Sequence, residues 1–481
     1  MMLVLGIALA LSAGALIAFG SPAIAFAVVI GLVAGAIVLS NIEFGMYAVI
    51  AIAVLLPFGA LPLNVGFNPT FLDLALVAVF AMWVMRGVTR QGGDFIATPL
   101  AVPVGAFLVL AIFSFIAGLG HSSVTAQVLR QFAEVLIAIA FFFVVVNTIT
   151  TRAALVRMMR ALMIAGFIAA VIGIGLYFLP PNTSIYLLSA LRVFKYPTGD
   201  RVLRYIEDDP ANAMRAVSTS VDPNVLGGLL ILVTALAAPQ IFARKPIVPR
   251  NLAIAMTATM FVCMILTFSR GALLGLVLAL GVIATVRYRP IIAIILLGAI
   301  VFLFLPMTQE YVGHFLDAFA ASDRATQMRL GEYKDAFNLI ARYPLFGVGF
   351  GSSPDIDTYI GVSSVYLLMA EEMGLVGLSV FLLTMGIFFW RVARAWFAGL
   401  ARDELLAPIL LGVAGALLGA MIGGLVDHYF FNLKFVHAVT LFWLYVGLGM
   451  TTLVLHARDN VILSEAKNLR DNARDPSLRS G

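Results

Sequence analysis

Long apolar runs separated by short polar connections dominate this chain. Most runs approach the roughly 20 residues that cross a bilayer as a helix. Their apolar positions are continuous rather than alternating, which argues against the strands of a membrane barrel. The pattern predicts an all-α, polytopic membrane helical bundle with about 12–14 transmembrane helices. The runs are centred near Ala10, Gly31, Ala51, Leu76, Leu108, Ile139, Ala169, Val233, Met260, Leu278, Leu296, Phe381, Leu417 and Trp443.

Composition agrees with a membrane protein and narrows its chemistry. The chain has 481 residues, 62% of them hydrophobic and 11% charged. Its net charge of +5 is too small and too scattered to indicate nucleic-acid binding. Cys263 is the single cysteine, so no disulfide can form within the chain. The first run, residues 3–19, lacks a basic leader and is interpreted as a retained span.

The basic residues predict the orientation in the membrane. Arginines and lysines cluster in every second connection, whereas the short alternate connections carry only Arg130, Arg270 and Lys434. Cytoplasmic loops are enriched in these residues, so both termini are expected on the cytoplasmic side. The clustered residues are Arg86, Arg90, Arg152, Arg157, Arg160, Arg244, Lys245, Arg250, Arg287, Arg289, Arg391, Arg394 and Arg402.

Two long connections are then expected on the extracytoplasmic side. The predicted order is N-terminal helices over 1–179, a loop over 180–223, helices over 224–306, a loop over 307–363, helices over 364–456 and a disordered cytoplasmic tail over 457–481. In the second loop, apolar residues recur at helical spacing and Pro344 follows them, which predicts an amphipathic helix lying on the outer interface. Those apolar residues are Leu330, Tyr333, Ala336, Phe337, Ile340 and Tyr343.

Two arginines stand where positive charge is otherwise avoided. Arg270 lies between two apolar runs, and an ionised side chain at a membrane boundary marks a functional site unless it merely snorkels. Arg215 precedes Asp222 and Pro223, a pair that favours helix capping over catalysis. Both arginines fall on the predicted outer side, where they suit an anionic ligand.

Three further features accompany them. Alternating glycines at 347, 349 and 351 would let backbone approach a phosphate, although the segment is not a P-loop. Asp427 beside His428 can set a base for removing a hydroxyl proton, or both can be interfacial residues in an aromatic belt. The acidic run 207–209 favours a charged turn over a cation site. No spacing of histidine and cysteine suggests zinc.

These motifs, in this order, resemble the O-antigen ligase and O-antigen polymerase family of bacterial envelope proteins. The resemblance covers about residues 215–450. It is carried by Arg215 with the Asp222-Pro223-Asn224 motif, the segment 267–272 around Arg270, Arg329 ahead of the segment 343–349, and Tyr366-Leu367 leading to the segment 372–378.

The resemblance implies transfer of a glycan from a polyprenyl-diphosphate donor to a glycan or glycolipid acceptor, outside the cytoplasmic membrane. It implies two essential arginines, which match Arg215 and Arg270, and a histidine just before the Tyr-Leu pair. Ser363 occupies that histidine position here. Either the base has moved, with His428 the nearest substitute, or the chain belongs to a divergent branch, or activity is lost.

The predicted function is therefore a metal-independent, inverting glycan transferase without a cofactor in the bacterial inner membrane. Its partners are the lipid-linked donor, the acceptor and the bilayer, and nucleic acid is not one. Arg215, Arg270, Asp427 and His428 are the candidate catalytic residues. A transporter or flippase of lipid-linked glycans and a non-catalytic family member are the alternatives. The predicted substrate-binding residues are Arg329, Gly347, Gly349, Ser363, Tyr366 and Glu372.

Overall fold

The computed structural model describes residues 33, 35–62, 66–90, 93–120, 124–304, 313, 324–351 and 361–474. The helices are α1 (Ile42–Leu55), α2 (Phe71–Val88), α3 (Ala101–Gly118), α4 (Ala126–Thr148), α5 (Arg152–Phe178), α6 (Pro181–Ser189), α7 (Pro223–Phe242), α8 (Arg250–Leu266), α9 (Arg270–Val286), α10 (Pro290–Phe304), α11 (Arg324–Arg342), α12 (Val365–Phe397), α13 (Leu406–Gly423) and α14 (Val436–Arg474). One two-residue hairpin pairs β1 (Arg204–Tyr205) with β2 (Met214–Arg215). Short 3-10 turns lie at Ala190–Phe194, Asp200–Val202, Ile206–Asp208, Ser218–Ser220, Leu400–Arg402 and Leu433–Phe435.

The polytopic helical prediction is confirmed. Among the described residues, 8 helices are long and apolar enough to cross a membrane, and α1, α8 and α9 are shorter apolar helices. Every predicted run from Ala51 onward contains a helix at its centre. The runs near Ala10 and Gly31 have their centres outside the described residues.

The tail requires a correction. The sequence predicted disorder from residue 457, but α14 continues as a helix to Arg474. The segment contains Glu465, Ala466, Lys467 and Leu469, which all have high helix propensity. The polar character of the tail, from which disorder was predicted, does not show that the preceding helix continues into it. The extension also begins from a fixed point, because Asp459 pairs with Arg152 at 2.6 Å.

The core is formed by helices that are buried on all sides. α7, α13 and α14 are buried along nearly the whole of their apolar length, and α7 packs against α8, α9 and α13. The remaining helices surround them and leave large apolar side chains on the outside. A helix that is apolar all round is expected to be buried in this way, whereas the outer helices meet lipid.

The two ends of the bundle differ in charge. Arg152 at the start of α5 pairs with Asp403 at 2.6 Å, Arg157 pairs with Glu43 at 2.8 Å, and Lys245 pairs with Glu404 at 3.0 Å. We call this the basic end, since the clustered arginines and lysines of the predicted cytoplasmic connections meet there. The loop that follows α5, the turn between α8 and α9, and the start of α12 lie at the opposite end, which we call the site end.

Helix α12 is interrupted at Gly374, which has φ +67° and ψ −178°. The glycine loop, residues 343–351, fills the break. Its Val348 and Gly349 amides donate to the carbonyls of Glu371 and Glu372 at 2.8 and 3.0 Å, and Leu375 N donates to Pro344 O at 2.8 Å. The loop therefore supplies the backbone hydrogen bonds that the helix loses at its break, as lipid-embedded backbone requires.

Replacing Gly374 by alanine is expected to lower the free energy of unfolding by about 1–3 kcal/mol, because this backbone conformation is essentially restricted to glycine. A Cβ at this position would also lie 2.2 Å from Leu345 O. The thermal unfolding midpoint in detergent measures the effect. Gly386→Ala on the same helix is the control, since a Cβ there meets nothing within 4 Å. Equal midpoints for both variants would contradict this account of the break.

Candidate active site

The candidate site is assembled from segments that are far apart in sequence. The loop over 180–222 packs on the end of α5 at Leu176 and forms a small apolar core there with its own Leu188, Val202, Leu203 and Val217. Tyr205 and Met214 of the hairpin pack against this core. Successive strand residues face opposite sides, so Arg215 is directed away from the small core and towards the bundle.

Arg215 is held by two elements of the bundle. Its Nε donates to Thr267 O at 2.8 Å, and its Nη2 donates to Asn224 Oδ1 at 2.7 Å. The next residue, Ala216, donates its backbone N–H to Leu266 O at 2.7 Å. These bonds fix the guanidinium beside the turn that carries Arg270.

Asp222 begins α7 as a cap. Its Oδ1 accepts from Asn224 N at 2.8 Å and from Val225 N at 3.1 Å, and Pro223 occupies the first helical turn. The capping interpretation of the sequence is confirmed. Its consequence for the site is that Asn224 is positioned to accept from Arg215. Val221, immediately before the cap, has φ +56°, an unusual conformation for a β-branched residue.

The turn between α8 and α9, residues 267–271, carries Arg270 as the first residue of α9. Phe268 has φ +51°, and backbone strain of this kind concentrates at functional sites. Gly271 permits close packing, because a Cβ there would lie 2.4 Å from Val426 Cγ2 and 3.6 Å from Asp427 Oδ2. The turn and Asp427 are therefore in direct proximity.

Helix α11 contributes residues to which sequence analysis assigned no catalytic role. Glu332 Oε2 accepts from Ser363 N at 2.9 Å. The Tyr333 hydroxyl lies 3.3 Å from Ser363 O and 3.2 Å from Leu425 O, where it can donate to either carbonyl. The signal available in the sequence was the spacing of Arg329 and Glu332, three apart on one helix face.

Asp427 is a buried acidic group of the site, with 7% of its surface exposed. Burial raises the pKa of its carboxyl to about 7. The positive charges of Arg329 and Arg215 oppose this rise, whereas Asp222 and Glu332 add to it. A carboxyl that titrates near neutral pH is suited to general base catalysis.

His428 has a different environment. Burial lowers the pKa of its imidazole, which is therefore neutral at pH 7. Asn432 Nδ2 lies 3.0 Å from His428 Nδ1, and Asn432 Oδ1 accepts from Lys434 N at 2.8 Å. Since the Asn432 oxygen is engaged by an amide, its NH₂ group faces the histidine. Nδ1 is then the acceptor and Nε2 carries the proton.

Four predicted substrate residues have packing roles. Gly347 and Gly349 have φ +68° and +82° in the glycine loop, where a Cβ on Gly347 would lie 2.3 Å from Glu371 O. The carbonyl of Glu372 accepts from Ser114 Oγ and Gly349 N at the helix break. The Tyr366 hydroxyl donates to Met421 O at 2.7 Å. Their contact with substrate stays a prediction.

The acidic run at 207–209 lies in a turn of the loop before α7. Asp209 Oδ1 accepts from Ala211 N at 2.9 Å, and Glu207 and Asp208 both have positive φ. This is the charged-turn arrangement that the sequence favoured.

A comparison with known families identifies the region around Arg270. Residues 255–382 match the family model described as O-Antigen ligase. The matched segment runs from α8 into α12 and includes Arg270, Arg329 and Ser363, whereas Arg215 and Asp427 lie outside it. A search of curated proteins finds no match to the chain. The match over residues 255–382 supports placing this multi-pass membrane protein with the O-antigen ligase family, a family of membrane enzymes that transfer glycans.

Proposed function

We propose that the protein transfers a glycan from a polyprenyl-diphosphate donor to a hydroxyl of a glycan or glycolipid acceptor. The observation that carries the proposal is the position of Asp427, a buried carboxyl with a pKa of about 7 whose charge is influenced by Arg329 and Arg215. The turn that carries Arg270 packs against the same segment through Gly271. Cationic groups for a diphosphate thus adjoin a base for a hydroxyl.

The arginines suit the departing diphosphate. A guanidinium stays ionised at all relevant pH values and pairs with two oxygens of one phosphate at once. Arg215 is fixed by its bonds to Thr267 and Asn224 before any ligand binds. Preorganised charge of this kind stabilises a transition state without reorganisation during the reaction, and each donor is typically worth about 3–4 kcal/mol.

The base is assigned to Asp427. In a direct displacement, the acceptor oxygen attacks the anomeric carbon while its proton passes to the Asp427 carboxylate. The bond between that carbon and the diphosphate oxygen breaks, and its electron pair leaves with the diphosphate. One displacement inverts the anomeric centre. His428 acts as a hydrogen-bond donor through Nε2, because Nδ1 already accepts from Asn432.

The site is assigned to the outer side of the bacterial cytoplasmic membrane. The arginine-rich connections meet at the basic end, which includes Arg152, Arg157 and Lys245. Positive residues favour the cytoplasm, so the opposite end, with the candidate site, faces outward. Helix α11 then lies along the outer interface, with Leu330 and Phe337 exposed at 54% and 60%.

Purified protein in lipid vesicles, supplied with a lipid-linked glycan donor and a matching acceptor, is expected to form the glycosylated acceptor and release polyprenyl diphosphate. Product detection by mass spectrometry tests both halves of the reaction. Lipid-linked donor that crosses the vesicle membrane without any new glycosidic bond would contradict the proposal.

Movement of lipid-linked glycans is the second candidate, and one observation favours it. The break in α12 places Glu371 and Glu372 in buried positions, with 1% and 4% of their surfaces exposed. Transporters commonly bind substrates or ions at interrupted helices that carry ionisable groups. The same vesicle experiment separates the two functions, since transport changes only the side on which the donor is found.

A further inference from the structure

The hairpin in the loop before α7 pairs two arginines directly. Its register places Arg204 opposite Arg215 and Tyr205 opposite Met214. Residues directly opposite in an antiparallel pair project from the same face of the ladder, with Cβ atoms about 4.5–5.5 Å apart. Like charges in this arrangement are destabilising unless something else compensates them.

The two faces of the hairpin have opposite character. Tyr205 and Met214 pack against the small apolar core of the loop. Arg204 and Arg215 occupy the other face. This face is turned towards the candidate site, because Arg215 donates hydrogen bonds to Thr267 O and Asn224 Oδ1. Because side chains alternate between the two faces of a strand, Arg204 lies on the face that is turned towards the same site as Arg215.

Among the residues that the structure describes, no acidic side chain pairs with Arg204. Its Nε is buried and has no hydrogen-bond partner among the described residues. Arg152, by contrast, is held between Asp403 and Asp459 at 2.6 Å from each. Buried polar groups are nearly always satisfied, so an orphaned donor calls for an explanation such as a ligand that is bound during function.

We propose that Arg204 and Arg215 form a paired-arginine anion site, with Arg204 binding the diphosphate of the lipid-linked donor beside Arg215. The inference rests on the proposed function for its ligand class. A diphosphate carries enough charge and enough acceptor oxygens to engage two guanidinium groups together. It would satisfy the orphaned donor and offset the repulsion between the cross-strand pair.

The test uses the purified full-length protein in neutral detergent with farnesyl diphosphate as the probe. Arg204→Gln is expected to weaken farnesyl diphosphate binding by about tenfold or more, because a charge-assisted hydrogen bond is lost. The control is Arg201→Gln, which removes the same charge from an exposed position of the same loop. This control is expected to retain wild-type affinity.

Unfolding midpoints distinguish a ligand-binding role from a structural one. Without ligand, Arg204→Gln is expected to unfold at the wild-type temperature or above it, since repulsion from Arg215 is removed. The rise in midpoint on adding farnesyl diphosphate is expected to be smaller than in wild type. A lower ligand-free midpoint with unchanged farnesyl diphosphate affinity would overturn the proposal and make Arg204 structural.

A second arm separates the donor from membrane lipid, which also carries phosphate. If Arg204→Gln weakens binding to phosphatidylglycerol vesicles but not to farnesyl diphosphate, the residue contacts lipid headgroups and the proposal fails. Neither binding measurement requires transfer. Failure of the glycan transfer assay with intact Arg204-dependent farnesyl diphosphate binding therefore counts against the proposed function alone.

Discussion

Replacing Arg270 by lysine is expected to lower the rate of glycan transfer by about 100-fold, the loss typical of one preorganised electrostatic contact to a transition state. Lysine keeps the positive charge but loses the planar fork that pairs with two phosphate oxygens. Arg270 begins α9 in a turn with a strained Phe268, and this turn packs against Asp427. A flexible ammonium at that position cannot reproduce the fixed geometry.

The measurement is the initial rate of product formation in vesicles containing equal amounts of correctly inserted protein. Arg289→Lys is the matched control, because Arg289 is exposed beyond the far end of α9, at the basic end. The control is expected to transfer glycan at the wild-type rate. Full activity of Arg270→Lys at equal abundance would remove Arg270 from the diphosphate site.

Periodicity and charge sufficed to predict the polytopic framework. The apolar runs near Val233, Leu417 and Trp443 predicted the helices that form the buried centre. This was possible because each membrane-spanning helix corresponds to one continuous apolar run. The cap at Asp222 was equally local, since its oxygen bonds amides two and three residues ahead. Features decided within about one helical turn were therefore accessible from sequence.

Contacts between distant segments were not accessible in the same way. The hydrogen bond between Glu332 and Ser363 N joins α11 to the segment before α12. The number of residues between these two segments does not determine how they meet in space. The pairing of Arg204 with Arg215 depends on hairpin register, and strands of two residues give almost no alternation to detect. The motif order indicated a resemblance that the match over residues 255–382 supports, but only the fold shows what adjoins Asp427.

The alternating glycines of the glycine loop are compatible with two different interpretations. Gly347 and Gly349 were predicted to let backbone approach a phosphate. In the structure Gly347 lets backbone approach the carbonyls of Glu371 and Glu372 where α12 breaks at Gly374, and Gly349 lets backbone approach α3 at Ser114 and Gly118. Sequence indicates that something comes close to a glycine, but it does not identify the neighbour.

Replacing Asp427 by asparagine is expected to lower glycan transfer by about 1,000-fold, within the range for loss of a general base. The wild-type rate should rise with pH through about 7, since burial raises the pKa of Asp427 to about 7 and only the carboxylate accepts a proton. The asparagine variant should lack this rise. A pH–rate profile in vesicles between about pH 5 and 9 measures both effects.

Stability provides the control for this substitution. A folded-state pKa above the ordinary value means that protonated Asp427 favours the folded state, and that this stabilisation is lost as pH rises through about 7. Asparagine cannot ionise, so at pH 8 the variant should unfold at the wild-type temperature or above it. Loss of activity with a lower midpoint at pH 8 would indicate misfolding rather than loss of a base.

His428→Ala distinguishes the two adjacent residues. Because Asn432 Nδ2 faces His428 Nδ1, the histidine donates through Nε2 and is not the base. Its removal is expected to cost about tenfold in rate, the value of one hydrogen bond, and to leave the rise with pH intact. If His428→Ala abolishes both transfer and the pH dependence while Asp427→Asn retains them, the base is His428, and the burial of Asp427 has another purpose.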